Sequence, residues 1–227
     1  MPDLLLLSMK LSAFILLVFC LPFSGWAQHA KNDLERQRLK GSIGTITEYE
    51  RDAKSNDVIT KNISKYDSRG DQLDLYSYDK DNALLSKSLF TYNDSGRLID
   101  IKRYKGDGTL NVRTTCKYDA RGFQIEEDNY DGSGMLFMKS VYTFNGNGTP
   151  RVLDRFNEFG ILFLKSNFKY DDDHNEIEEK QYDSHHGLKF SITYDYDGFD
   201  VNGNWTKRTM NKNDDPAIVI EREFSAQ

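Results

Sequence analysis

The chain has 227 residues, a formal net charge of −6 and 13% aromatic residues. Acids and bases alternate along it and do not cluster, so it carries no nucleic-acid footprint. Only 4 prolines beside that aromatic content argue against a disordered chain, and the length suits one domain with a core.

In chain order, the first feature is a leader. Lys10 precedes the apolar run 11–23, LSAFILLVFCLPF, and Ser24, Gly25, Trp26 and Ala27 follow it. A charged segment, an apolar segment and small residues before a cut form a signal peptide, expected to be cleaved after Ala27. A membrane anchor is the competing reading, but the run is short for a span of roughly 20 residues. Met9 is an alternative start, and Cys20 follows Phe19 where a lipoprotein needs a small residue. The mature chain then begins at Gln28, is exported to the periplasm or beyond, and has no membrane span. It keeps Cys116 alone, so no intramolecular disulfide is expected.

Residues 28–41 read as a short helix or linker. NDLERQRLKG, 32–41, suggests a helix capped by Asp33 and closed by Gly41. Residues 42–227 read as one repeat domain. Tyr66, Tyr92, Tyr118, Phe144, Tyr170 and Tyr196 recur every 26 residues, each followed by Asp or Asn. Tyr78, Tyr104, Tyr130, Phe156 and Tyr182 form a second series at the same spacing, Gly70, Gly96, Gly122 and Gly148 a third, and Leu84, Leu110, Leu136, Leu162 and Leu188 a fourth. Columns in one register mark a tandem structural unit.

Each unit holds two turns, such as YDSRG and YDKDN, where Asp and Asn bond the backbone and Gly accepts positive φ. The runs between them alternate with period 2, and helical periodicity is absent. Phe90, Cys116, Tyr142, Phe168, Ile192 and the fourth-series leucines share even numbers, while Lys87, Arg113, Lys139 and Lys165 are odd. One apolar and one wet face are expected. In the short strands, Leu73, Ile99, Ile125 and Ile177 precede the second-series ring by five residues, an odd separation that predicts a bulge or twist in each. Arg151 breaks that column, and Val152 is expected to replace it after Pro150. Pairs at 43–51 with 57–67 and 203–211 with 217–224 flank ten further strands. The expected fold is all-β: an antiparallel meander of about 14 strands, in a twisted or spirally curled sheet with a short N-terminal helix.

The motif Tyr66-Asp67-Ser68-Arg69-Gly70 and its partner Tyr118-Asp119-Ala120-Arg121-Gly122 resemble YD repeats, the units of Rhs-type proteins. The ends, Leu39-Lys40-Gly41 and the GNWTKR run 203–208, resemble small exported repeat proteins of Bacteroidetes. The resemblance covers about residues 39–224 and implies a β-hairpin array, often coiled into a spiral. In large Rhs proteins that sheet encloses a toxin. Few repeats and no C-terminal toxin domain make enclosure unexpected here.

Candidate chemistry is sparse. His174, His185 and His186 fall in turns, the adjacent pair would diverge, and solvated turn residues are expected rather than zinc ligands. Asp171, Asp172 and Asp173 lack the spacing of a calcium loop. No nucleophile elbow or phosphate loop is present. Cys116 occupies a packing position. Glu126 with Glu127, and Glu178 with Glu179, are strand neighbours facing opposite sides, and read as solvation and edge protection. No catalytic residue, metal or cofactor is expected. The expected function is a non-enzymatic exported scaffold that binds an envelope protein or surface polysaccharide through its exposed face. The alternatives are a glycan-binding module using tyrosine rows and a glycoside hydrolase with acids inside a curled sheet. Exposure of Tyr78, Tyr104 and Tyr130 separates the first two.

Overall fold

The computed structural model describes residues 31–213, 215 and 217–227, so the leader and its cleavage after Ala27 lie outside the described residues. A single helical turn, α1 (Asp33–Arg36), precedes the strands β1 (Thr45–Asp52), β2 (Val58–Tyr66), β3 (Gln72–Asp79), β4 (Leu84–Tyr92), β5 (Leu98–Lys105), β6 (Leu110–Tyr118) and β7 (Gln124–Asp131). These continue as β8 (Leu136–Phe144), β9 (Pro150–Asn157), β10 (Leu162–Tyr170), β11 (Glu176–Asp183), β12 (Leu188–Phe199), β13 (Trp205–Lys212) and β14 (Ile218–Ser225). Every strand pairs antiparallel with its chain neighbour, and β14 returns to β1, closing the curl into a barrel. Closure pairs every strand with two neighbours, with the β13–β14 ladder confined to Lys207–Met210 against Ile218–Glu221.

The turns explain the repeat. Asp67 Oδ1 accepts hydrogen bonds from the amides of Arg69 and Asp71, and the Gly70 amide bonds the Asp67 carbonyl at 2.9 Å. Gly70 sits at φ +87°, which is why that column is glycine. Asp131 repeats the arrangement at the other end of the barrel, with Ser133, Met135 and Gly134. His174 and His186 occupy the glycine position of their turns at φ 67° and 65°.

Bulges occur in every short strand of the repeats. Lys65 faces Asp74 and Tyr66 faces Gln72, so Leu73 has no partner; Ile99, Ile125 and Ile177 are skipped in the same way. Arg151 is skipped too and keeps the column, because Thr143 pairs with Val152 and Phe144 with Pro150. The expected substitution by Val152 is therefore corrected: a bulge residue pointing to solvent tolerates Arg as readily as Ile. A second set of bulges lies in the long strands, where Leu85, Asn111, Phe137, Phe163 and Lys189 are skipped. They break the even-number alternation. Leu84, Leu110, Leu136, Leu162 and Leu188 pair with Tyr78, Tyr104, Tyr130, Phe156 and Tyr182 instead of continuing the inner face, and Leu188 is 56% exposed.

Directly paired residues share a face, which sorts the wall into inside and outside. The first series, Tyr66, Tyr92, Tyr118, Phe144, Tyr170 and Tyr196, points inward at one mouth. Below it lies a layer holding Phe90, Cys116, Tyr142 and Phe168. Next comes a polar girdle in which Ser88 pairs with Arg103, Thr114 with Asn129, Ser140 with Arg155 and Ser166 with Gln181. The second series points outward. With strands about 4.8 Å apart and tilted about 40°, fourteen strands give a radius of about 14 Å if the barrel is round, beyond what side chains fill in an eight-stranded barrel. Consistent with that width, the buried apolar residues form three separate clusters among the described residues: around Ile46 and Tyr66, around Ile192 and Ile220, and around Leu153 and Phe168.

The helix differs from expectation. Its cap is Asn32, whose side chain accepts from the Glu35 amide in a capping box, and it ends at Arg36, well short of Gly41. Its position explains its brevity, since it docks on the Tyr66 and Tyr92 side of the tyrosine-lined mouth. Asp33 accepts from the Gln72 amide at 2.8 Å and from the Tyr92 hydroxyl, Gln37 bonds the Tyr66 hydroxyl, and Arg36 is buried. The segment is pinned further along by Asn204, which is 3% exposed. Its side chain accepts from the Lys40 amide at 2.8 Å and donates to the Lys40 carbonyl at 2.9 Å and to Asp200 at 2.8 Å. Asn204→Ala strands those groups and is expected to cost about 2–3 kcal/mol. Urea denaturation measures the loss, and hydrogen exchange at the Lys40 amide shows whether the segment is released.

Candidate functional site

Among the described residues three places hold chemistry: the lumen, the outer wall and the mouth where residues 40–43 meet residues 200–206 and 222–226. In the lumen, the strand-neighbour acids separate as expected, but their inner members do not serve solvation. Glu126 points outward to Lys117 and to Lys139 at 3.1 Å, whereas Glu127 is buried inside, where desolvation pushes its carboxyl up against hydrogen bonds from Tyr142 and Gln124 and the charge of Arg155. Likewise Glu178 is outside with Lys169 at 2.8 Å and Lys180 at 3.2 Å, and Glu179 faces inward opposite Phe168 and Ile192. Glu176 faces inward beside it. Burial and then the Glu179 charge push Glu176 up to about 8, with Arg208 opposing.

Between β1 and β14 the buried pair Glu48 and Arg222 is joined through Nε at 2.5 Å. The Arg222 guanidinium lies 3.5 Å from the centre of the Trp205 ring, and Arg208 lies 4.5 Å from the same ring. Neither acid nor arginine was singled out from sequence, because each sits at a non-repeating position. Cys116 lines the inner layer, where burial and then the Glu127 charge push its thiol far up, away from nucleophilic character. Among the described residues no group of three or more His, Cys, Asp or Glu is placed to hold a metal. His174 Nδ1 lies 3.1 Å from the Asn147 amide, while His185 and His186 sit together in the β11–β12 turn, so the three histidines are not brought together.

The outer wall is charged. At mid-height Lys139 reaches Asp128 at 3.5 Å and Lys165 reaches Asp154 at 3.2 Å, while nearer the strand ends Lys117 reaches Asp128 at 2.8 Å and Arg51 and Lys207 reach Glu221 at 3.0 and 3.3 Å. Lys61 lies over the Tyr78 ring at 5.1 Å. Tyr78, Tyr104, Tyr130, Phe156 and Tyr182 are half-buried on this wall. Near the same rim, two adjoining hairpins carry exposed apolar residues: Met135 (70%), Phe137, Phe159 (78%), Ile161 and Phe163. The bulges at Phe137 and Phe163 put those two rings outside.

No family model matches this chain, and no curated protein matches it. Among solved structures, it is similar to a porin-like protein from Bacteroides uniformis, with 10% identity and a TM-score of 0.51 over 81% of this chain and 98% of that one. The likeness is one of fold. A more distant similarity, with 11% identity and a TM-score of 0.31, is to TcdB2-TccC3-TEV, over 71% of this chain and 12% of that one. Among the described residues no helix is long and apolar enough to cross a membrane.

Proposed function

We propose that the chain is an exported, water-facing barrel built from YD-type repeats, and that it binds another envelope protein without catalysis. The observation carrying this reading is the group of exposed apolar residues Met135, Phe137, Phe159, Ile161 and Phe163 on two adjoining hairpins of a wall that is charged at mid-height. Apolar patches rimmed by polar residues mark interaction sites. The charged mid-height argues for water outside: Lys or Arg facing lipid at a bilayer midplane costs about 2–4 kcal/mol each, and a membrane barrel carries an apolar band there.

Binding of a glycan along the second-series rings is disfavoured by curvature. The rings occupy β3, β5, β7, β9 and β11, so neighbours stand two strands, roughly 10 Å, apart around a convex wall. The row wraps more than half the barrel, and a straight polymer meets only a pair of its rings. A carboxylate hydrolase is the second reading, favoured by Glu176 raised to about 8 beside Glu179. Glu176 stands level with Tyr170 in the first-series layer, and Glu179 lies one layer below it, opposite Phe168.

A photo-crosslinking residue at Phe159, in cells expressing the whole chain, is expected to give one discrete adduct that the same residue at Asn167 does not give. The secreted chain is expected to begin at Gln28. Adducts at neither position, or identical adducts at both, defeat the docking reading. Hydrolysis of aryl glycosides that disappears in both Glu176→Gln and Glu179→Gln would establish the second reading.

A further inference from the structure

The two end motifs that stand outside the 26-residue repeat meet in space. Lys40 and Asn204 are clamped together across 164 positions of sequence, and beside the clamp lies a cavity of about 380 Å³. One wall is Lys40, Gly41 and Ser42; another is the β12–β13 turn with Asp200 and Asn202, and Thr206 beyond it; β14 closes it with Arg222, Phe224 and Ser225. The size is that of a small-ligand site.

The lining chooses among ligand classes. An anion would meet the Asp200 carboxylate, which amide hydrogen bonds from Asn204 and Asn202 keep ionised against the effect of burial. Arg222 offers an anion little, being paired with Glu48. A cation would meet the Lys40 ammonium. A wholly apolar ligand would meet the polar residues Ser42, Asn202, Thr206 and Ser225 beside the apolar Ile43, Phe224 and Ala226. A neutral polyhydroxylated ligand suits this mixed lining: each sugar hydroxyl both donates and accepts, and the C–H face of a pyranose ring suits the apolar residues. The clamp holds the walls in place before binding, which limits the ordering cost. We propose that this cavity is a saccharide site for one or two sugar rings, formed by the meeting of the Leu39-Lys40-Gly41 and 203–208 motifs. It uses none of the residues of the proposed protein-docking patch.

The test is amide chemical-shift titration of the whole mature chain with cellobiose and with N,N′-diacetylchitobiose. The expected result is saturable shifts at Gly41, Ser42, Asn202 and Thr206 with at least one disaccharide. Asn202→Ala is expected to weaken binding at least tenfold. Ser225→Trp, an exposed position at the mouth, abolishes it, and both variants keep the parent's thermal midpoint. The proposal is overturned if neither disaccharide shifts these amides, if inorganic phosphate shifts them instead, or if Asn202→Ala and Ser225→Trp bind like the parent.

Discussion

Glu48→Gln is expected to destabilise the barrel by about 3–5 kcal/mol, because it removes one partner of a buried ion pair and leaves the other charged. Arg222 cannot escape by moving to water: it is buried, burial already lowers its pKa, and Arg208 adds a like charge nearby. The Trp205 face at 3.5 Å supplies attraction but no counter-charge. The pair also joins β14 to β1, the closing seam of the barrel. Glu48→Gln/Arg222→Met is expected to recover most of the loss, since both charges then leave the interior together. Urea denaturation of the parent, the two single variants and the double variant forms a complete cycle. A midpoint shift without a change in slope marks lost stability. A single Glu48→Gln that costs less than about 1 kcal/mol would mean that the seam does not depend on this charge pair.

Much of the wall was legible because a tandem repeat states each rule several times. The aspartate turns, the inward first series and the bulges at Leu73, Ile99 and Ile177 follow from spacing alone. The outer leucines did not. Leu84 and its column have even numbers like Phe90, and only the second bulge, beside the second turn, separates their faces. Closure was open for a related reason: the residues that seal it, Glu48, Arg222 and Trp205, occur once each. The polar girdle is itself periodic, with Ser88, Thr114, Ser140 and Ser166 spaced at 26, but small hydroxyls on an expected apolar face carry little hydropathy signal. The lumen's acids were hidden by their outer neighbours. Glu126 and Glu178 satisfy the expectation of solvated charge, and sequence does not say that Glu127 and Glu179, one position on, lie inside a closed tube. The helix was misjudged because hydrogen bonds to the barrel mouth, rather than helical propensity, decide where it stops.

Those inward acids make stability depend on pH in an unusual direction. A carboxyl raised from 4.5 to about 8 keeps its proton in the fold where the unfolded chain has released it. Between those limits the folded state binds more protons, so stability falls as pH rises, by up to about 1.4 kcal/mol per pH unit for this one group. The favourable contribution is complete below the unfolded value and lost by the time pH passes the folded one. Glu127 and Glu50, also raised by burial first of all, act with the same sign. The exposed turn aspartates, such as Asp131, are lowered, first by the hydrogen bond from the Ser133 side chain, and act with the opposite sign at more acidic pH. Glu176→Gln is therefore expected to flatten the decline between pH 5 and 8 and to be more stable than the parent above pH 8, where the parent must carry a carboxylate next to Glu179. Glu178→Gln, on the outer face between two lysines, leaves the decline unchanged. Urea midpoints at pH 5, 6, 7 and 8 decide it: parallel curves for the parent and Glu176→Gln would place Glu176 in contact with solvent and remove the physical basis for an acid pair inside the barrel.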